Sequence, residues 1–391
     1  MHFIDLAAQQ HKIRDSLEVQ IRSVLDHGQY IMGPEVRKLE GILAEYTGTK
    51  HAIGCASGTD ALLMALMAYE IGPGDAVFTT PFTFMATAEV ISLLGAVPVF
   101  VDIDQTTFNL DPAHLERAIE AVESCDSSKY PLPAPGTANG KLRPRGIIAV
   151  DLFGLPAEYE GINAIAKKHG LFVIQDAAQS FGAVHAGKKA CSMGHVGCTS
   201  FFPAKPLGCY GDGGMCFTDD DDCADRMRSV RVHGQGTDKY ENVRIGINGR
   251  LDTLQAAVLL AKFAIFPEEL TLRQTVAQRY TRLLTSDASP VLCPAVPDDF
   301  TSAWAQYSVI AKRNGGRSAL QAGLKEANVP TAIYYPKPLH LQKAFAYLGY
   351  RQGEFPVSED CASNIFSLPM HPYLGEEDQQ KIASLILGLK F

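Results

Sequence analysis

Apolar residues fall at helical spacing in the run Ser16-Leu-Glu-Val-Gln-Ile-Arg-Ser-Val-Leu25, which predicts a helix that Gly28 stops. Gly33-Pro34 opens a second helix through Leu39 and Ala44. From residue 51 the pattern changes to short apolar runs alternating with helical stretches. Residues 51–55 predict a strand, 59–69 a helix, 76–80 a strand, 83–94 a helix and 97–102 a strand that begins near Pro98. Further strands are predicted at 147–151, 172–175, 198–202 and 215–218. Strands alternating with helices imply an α/β fold with a mostly parallel sheet covered on both faces. In such sheets ligands bind beyond the carboxyl ends of the strands.

Residues 122–146 break the rhythm with Ser, Pro, Gly and Asn and no periodicity, and predict a long surface loop. A helix over 253–263 closes a large domain, residues 1–264. Residues 265–391 mix helices (272–284, 318–327) with short strands (307–312, 331–334) and predict a smaller α+β domain.

Composition then narrows the function. The 391 residues are 46% hydrophobic and 20% charged, enough for a large core and a second domain. A net charge of -8 without a basic block argues against nucleic acid as a partner. Met1-His-Phe-Ile-Asp5 lacks the basic and apolar regions of a signal peptide, and no apolar run reaches membrane-spanning length. The nine cysteines form no Cys-x-x-Cys pair and no zinc-like cluster with histidine. Reduced thiols, no bound metal and a cytoplasmic setting are the expectation.

The candidate chemistry centres on Lys205, which lies between an apolar run and the glycine-dense turn Gly208-Cys-Tyr-Gly-Asp-Gly-Gly214. Asp176 ends the run Val173-Ile-Gln-Asp176. A buried carboxylate is costly unless paired. The turn Ser57-Gly58-Thr59 stands between a strand and a helix, where free N–H groups and the helix dipole attract an anion. Alone, that turn reads equally as an N-cap, and Asp176 as a helix cap. Together, lysine, strand-end aspartate and small-residue turn describe a pyridoxal phosphate site. Lys205 forms the Schiff base, Asp176 holds the pyridinium nitrogen, and Gly58 and Thr59 hold the phosphate. Ser200 is a further phosphate donor or a buried strand serine. Phe84 is a stacking face for the ring or a core residue. Gln179 lies one turn beyond Asp176, within reach of the ring hydroxyl.

These residues resemble the DegT/DnrJ/EryC1/StrS aminotransferase family. The matching segments are Gly28-Gln-Tyr-Ile-Met-Gly-Pro-Glu-Val36, Ser57-Gly-Thr-Asp-Ala-Leu62, Asp176-Ala-Ala-Gln-Ser-Phe-Gly182, Lys205, Arg231-Val-His-Gly234 and Gly246-Ile-Asn-Gly-Arg250. The resemblance implies a fold-type I pyridoxal phosphate enzyme with Lys205 as proton shuttle. It implies that Asn248 reaches the cofactor phosphate of a second subunit, so the sites are shared in a homodimer. It makes Arg250 the partner of a uronate or glutamate carboxylate, and places Tyr334 and Tyr335 at the substrate. Thr199-Ser-Phe-Phe-Pro-Ala-Lys205, Arg250-Leu-Asp-Thr-Leu-Gln-Ala-Ala257 and Ser367-Leu-Pro-Met-His-Pro-Tyr373 look most like enzymes that aminate UDP-2-acetamido-2-deoxy-3-oxo-D-glucuronate with L-glutamate for O-antigen synthesis. Those relatives carry His-Tyr-Pro where this chain has Tyr334-Tyr-Pro336, so another 3- or 4-keto nucleotide-sugar stays open. A sugar dehydratase of the same fold replaces the lysine with histidine, which Lys205 argues against. A regulator with a retained cofactor pocket is the reading from a different class.

Overall fold

Apolar runs four to eight residues long, buried on both faces, become the strands of one central sheet. The computed structural model describes residues 1–137, 140–238, 240–313 and 315–389. The chain begins α1 (Leu6–His27), α2 (Pro34–Thr47), β1 (His51–Cys55), α3 (Gly58–Ala68), β2 (Asp75–Thr79), α4 (Ala86–Leu93) and β3 (Val97–Phe100). It continues α5 (Pro112–Ser124), β4 (Arg143–Val150), α6 (Tyr159–His169), β5 (Phe172–Asp176), β6 (Val184–His185) and β7 (Lys188–Lys189). Then come β8 (Val196–Ser200), β9 (Gly214–Thr218), α7 (Asp221–Val230), α8 (Thr253–Phe263) and α9 (Phe266–Leu284). The last elements are β10 (Val291–Leu292), β11 (Phe300–Thr301), β12 (Tyr307–Ala311), α10 (Gly316–Glu326), α11 (Pro356–Asn364), β13 (Ile365–Leu368) and α12 (Glu376–Gly388).

The central sheet has seven strands in the order β1-β9-β8-β5-β4-β2-β3. From β8 to β3 all neighbours are parallel, and β9 alone runs antiparallel to both of its partners. Val150 pairs with Asp176, and Asp176 with Cys198, so the carboxyl ends of β4, β5 and β8 finish together. One face of the sheet buries Phe78, Val99, Ile147 and Val173 under α5 and α6. The other buries Ile53, Val77, Ile148 and Ile174 under α3 and α7. Each such side chain contributes about 1.5–3 kcal/mol on leaving water.

Three sequence expectations change. Helix α4 starts at Ala86, three residues later than its apolar spacing predicts, because residues 81–85 turn and the Thr80 hydroxyl accepts from Phe82 N (3.1 Å). Residues 331–334 do not form a strand; a single bridge joins Ala332 to Ser367. The stretch read as a loop over 122–146 is shorter, since α5 runs to Ser124 and β4 begins at Arg143. Its described residues are packed down: Tyr130 is buried, and Ala134 N donates to Leu348 O (2.7 Å).

The C-terminal third returns to the far edge of the sheet. Leu339, Phe345, Leu348, Tyr350 and Phe355 share a core with residues of β2, β3 and β4. Tyr350 OH accepts from Phe100 N (3.4 Å), and Tyr130 OH accepts from Asp102 N (2.8 Å). Asp102 in turn accepts from the N–H groups of Val357 (3.0 Å) and Ser358 (2.9 Å) at the start of α11. A second sheet, β10-β12-β13, packs under α9, α10 and α12. Among the described residues no helix is long and apolar enough to cross a membrane.

Candidate active site

Asp176 is the last residue of β5 and is only 6% exposed. Its Oδ2 accepts from Thr87 Oγ1 (2.8 Å) and its Oδ1 accepts more loosely from Ala178 N (3.3 Å). Burial pushes its pKa above the usual carboxylate value, while those hydrogen bonds and the nearby Lys205 pull it down. Lys205 lies five residues beyond the end of β8, in a turn where its N–H donates to Phe202 O (2.9 Å). It is therefore presented by a turn and not by the strand itself. Burial draws the lysine pKa below its ordinary value, and Asp176 opposes this. The two charges influence each other, yet among the described residues Lys205 makes no ion pair. A lysine without an ion pair among the described residues, near a buried carboxylate with one loosely engaged oxygen, fits a cationic ring held by both.

The phosphate end is built by close packing. Ser57 caps α3, its Oγ accepting from Asp60 N (3.0 Å), and Gly58 and Thr59 form the first helical turn. A Cβ on Gly58 would lie 2.6 Å from Ser200 Cβ, so only glycine lets α3 close on the end of β8. Ser200 Oγ accepts from Phe202 N (3.2 Å), which leaves its hydroxyl hydrogen free to donate to an anion. Gly58→Ala is expected to force these elements apart at a cost of about 1–3 kcal/mol. Fluorescence titration of the apoprotein with cofactor is expected to show affinity weakened about tenfold or more. Wild-type affinity in that variant would rule out the cradle.

The ring face is formed by Phe84, which stays 57% exposed despite its size, in the turn before α4. Its ring lies 6.3 Å from that of Tyr335. Gln179 is buried, its Oε1 accepting from Phe153 N (2.7 Å) and its Nε2 donating to Tyr335 OH (3.3 Å). Burial raises the Tyr335 pKa, and Asp176 adds to the rise, so the phenol stays protonated. Tyr334 is half-buried, with its ring 6.4 Å from that of Phe3. Lys205, Asp176, Gln179, Phe84 and Tyr335 thus belong to one cluster.

Asn248 and Arg250 flank Gly249, whose carbonyl accepts from Ala56 N (3.0 Å) just before the Ser57–Thr59 turn. They line a cavity of about 440 Å³ with Ile31, Ala56, Gly211 and Gln255, whose lining includes neither Lys205 nor Asp176. Arg250 is bridged to Cys55, and its Nε is buried without a hydrogen-bond partner. Sequence reasoning missed Thr83 and Thr87, the hydroxyls behind Asp176. Their only signal is spacing: Thr83 and Thr87 are four apart, and Thr87 is one turn after Phe84.

Residues 11–387 match the model of the DegT/DnrJ/EryC1/StrS aminotransferase family. The chain is 48% identical over 374 residues, 96% of each chain, to a UDP-2-acetamido-2-deoxy-3-oxo-D-glucuronate aminotransferase of Pseudomonas aeruginosa. Its fold superposes on a DegT/DnrJ/EryC1/StrS aminotransferase from Brucella abortus with a TM-score of 0.92, at 50% identity and 99% coverage of both chains. It also matches NtdA of Bacillus subtilis, solved with bound cofactor PMP, at a TM-score of 0.85 and 27% identity, covering 99% of this chain and 83% of that one.

Proposed function

The chain belongs to the DegT/DnrJ/EryC1/StrS aminotransferase family, and from that premise we propose the reaction and the residues that perform it. It is a pyridoxal phosphate-dependent sugar aminotransferase. The proposed reaction moves the amino group of L-glutamate to C3 of UDP-2-acetamido-2-deoxy-3-oxo-D-glucuronate, releasing 2-oxoglutarate and the 3-amino sugar. The Pseudomonas aeruginosa relative, at 48% identity, supports that substrate. The observation that carries the catalytic reading is the placement of Lys205, in the turn after β8, close enough to influence the buried Asp176 at the end of β5.

The cofactor supplies an electron sink for the charge left when a proton leaves the carbon next to nitrogen. Everything else falls to the protein. Lys205 would hold the cofactor and, with its amine free, would carry the proton from the donor and back to the acceptor. Burial keeps its free amine less basic than an ordinary lysine, which suits a base working near neutral pH. Asp176 would orient the ring and, as a carboxylate, keep its nitrogen protonated. Gln179 is held at both ends of its amide, by Phe153 and Tyr335, and would donate its remaining hydrogen to the ring hydroxyl. Gly58, Thr59 and Ser200 take the phosphate, and Phe84 covers one ring face.

The remaining roles need a second copy. We place Asn248 on the partner's cofactor phosphate and Arg250 on a substrate carboxylate, in a homodimer with shared sites. We further propose a large domain of residues 1–264, a small one of 265–391, a cytoplasmic setting and a role in O-antigen lipopolysaccharide synthesis. Arg250→Lys keeps the charge and loses the bidentate fork, so KM for the carboxylate-bearing substrate is expected to rise about tenfold with a smaller change in kcat. An unchanged KM for both substrates would remove Arg250 from the site.

A second reading, another 3- or 4-keto nucleotide-sugar, draws on Tyr334, whose ring packs near Phe3 beside Tyr335. The test has two stages. Absorbance of the cofactor-loaded protein is recorded before and after L-glutamate; loss of the visible band establishes the donor half-reaction, and an unchanged band refutes glutamate as donor. Amino-sugar formation from a panel of keto nucleotide-sugars then decides the acceptor.

A further inference from the structure

Thr83 and Thr87 are 2% and 1% exposed, and neither hydroxyl faces solvent. Thr87 Oγ1 lies 2.8 Å from Asp176 Oδ2, and Thr83 Oγ1 lies 3.1 Å from Thr87 Oγ1. An ionised carboxylate only accepts hydrogen bonds, and each hydroxyl has a single hydrogen. Thr87 must therefore donate to Asp176, which leaves Thr83 to donate to Thr87. The direction of both bonds is set by the charge on Asp176. The same short segment carries Phe84, so one turn of chain presents the ring face and anchors the carboxylate behind it. Asp176 Oδ2 is tightly engaged, and Oδ1, with its looser bond to Ala178 N, remains for the ring nitrogen.

We infer that Thr83 and Thr87 form a directional hydroxyl relay that orients Asp176 and keeps the shared proton on the ring nitrogen of the cofactor. The inference rests on the reading of Asp176 given under Proposed function. The physical basis is competition for one proton. A hydrogen bond donated to a carboxylate lowers its proton affinity, so the proton stays on the ring and the ring keeps its positive charge. Without Thr87 the proton moves toward Asp176, the ring becomes less positive, and the nitrogen joined to Lys205 keeps its own proton to higher pH. Thr83 and Thr87 are positioning residues, since they reach the cofactor only through Asp176.

The test is a pH titration of the visible absorbance band in the cofactor-loaded protein, with cofactor affinity measured on the apoprotein. In Thr87→Val, which preserves shape and removes the hydroxyl, the titration midpoint is expected to rise by about 0.5–1 pH unit. Cofactor affinity is expected to fall about tenfold, the scale of one hydrogen bond to a charged group. Thr87→Ser is expected to behave as wild type, and Thr83→Val to shift the midpoint in the same direction by a smaller amount. Should Thr87→Val fail to fold, Thr83→Val carries the titration. Asp176→Asn serves as reference. If it moves the midpoint and neither threonine variant does, the relay is refuted while the role of Asp176 stands. A shift in Thr87→Ser equal to that in Thr87→Val would assign the effect to packing and refute the relay. If Asp176→Asn leaves the midpoint in place, the reading of Asp176 fails and the relay falls with it.

Discussion

Lys205→Ala is expected to reduce glutamate-dependent amination of the keto-sugar by about 10⁴-fold or more, the combined scale of a lost nucleophile and a lost proton carrier. The expectation follows from one amine serving both steps. Asp176 influences the protonation of Lys205, and among the described residues Lys205 makes no ion pair that would hold its charge elsewhere. The variant is expected to fold, because the turn that presents Lys205 is closed by its backbone bond to Phe202 and not by its side chain. Circular dichroism and cofactor retention would check this. Cofactor then stays by its phosphate and Asp176 contacts, without the visible band. Small amines added to the medium are expected to restore a fraction of the rate, since they replace the missing base. Residual transamination within tenfold of wild type would end the assignment of Lys205.

Asp176→Asn is expected to lower turnover by about 10²–10³-fold, because a neutral amide cannot stabilise the charge on the ring nitrogen. A second measurement separates this role from a structural one. Burial raises the Asp176 pKa in the folded apoprotein. Between its unfolded and folded values, the native state binds the proton more tightly than the unfolded state. Native stability therefore falls as pH rises through that window. Asparagine removes this slope, so the apo variant is expected to match or exceed wild-type stability at neutral pH while its activity collapses. A variant destabilised in the apo form would mark Asp176 as a structural residue.

The strand–helix alternation made the parallel core readable, because a strand buried on both faces leaves a continuous apolar run. Strand direction is a different matter. Nothing within Met215 to Thr218 records that β9 runs against its neighbours; direction is set by how the chain returns from Lys205. Lys205 and Asp176 were legible because charged residues at the end of apolar runs are costly without a purpose. Thr87 was not, since a threonine in a helix is unremarkable until its neighbour in space is known. The stretch 331–334 looked extended, but it meets Ser367 through one bridge and has no second partner to make a strand. Tyr130 sits in a segment whose composition is that of a loop, and only its phenol contact with Asp102 reveals its burial.

The far edge of the sheet has a consequence for synthesis on the ribosome. Strand β1 waits for β9 to be made, and the outer edge of β3 is sealed by Tyr350 and its neighbours. Asp102 finds its partners at Val357 and Ser358 about 255 residues later in the chain. A nascent chain that has emitted only its first half therefore carries an open strand edge, the condition under which strands of neighbouring chains pair wrongly. Truncation upstream of Tyr350 leaves that edge permanently exposed, so the sheet is sealed only when the segment around Tyr350 has been translated.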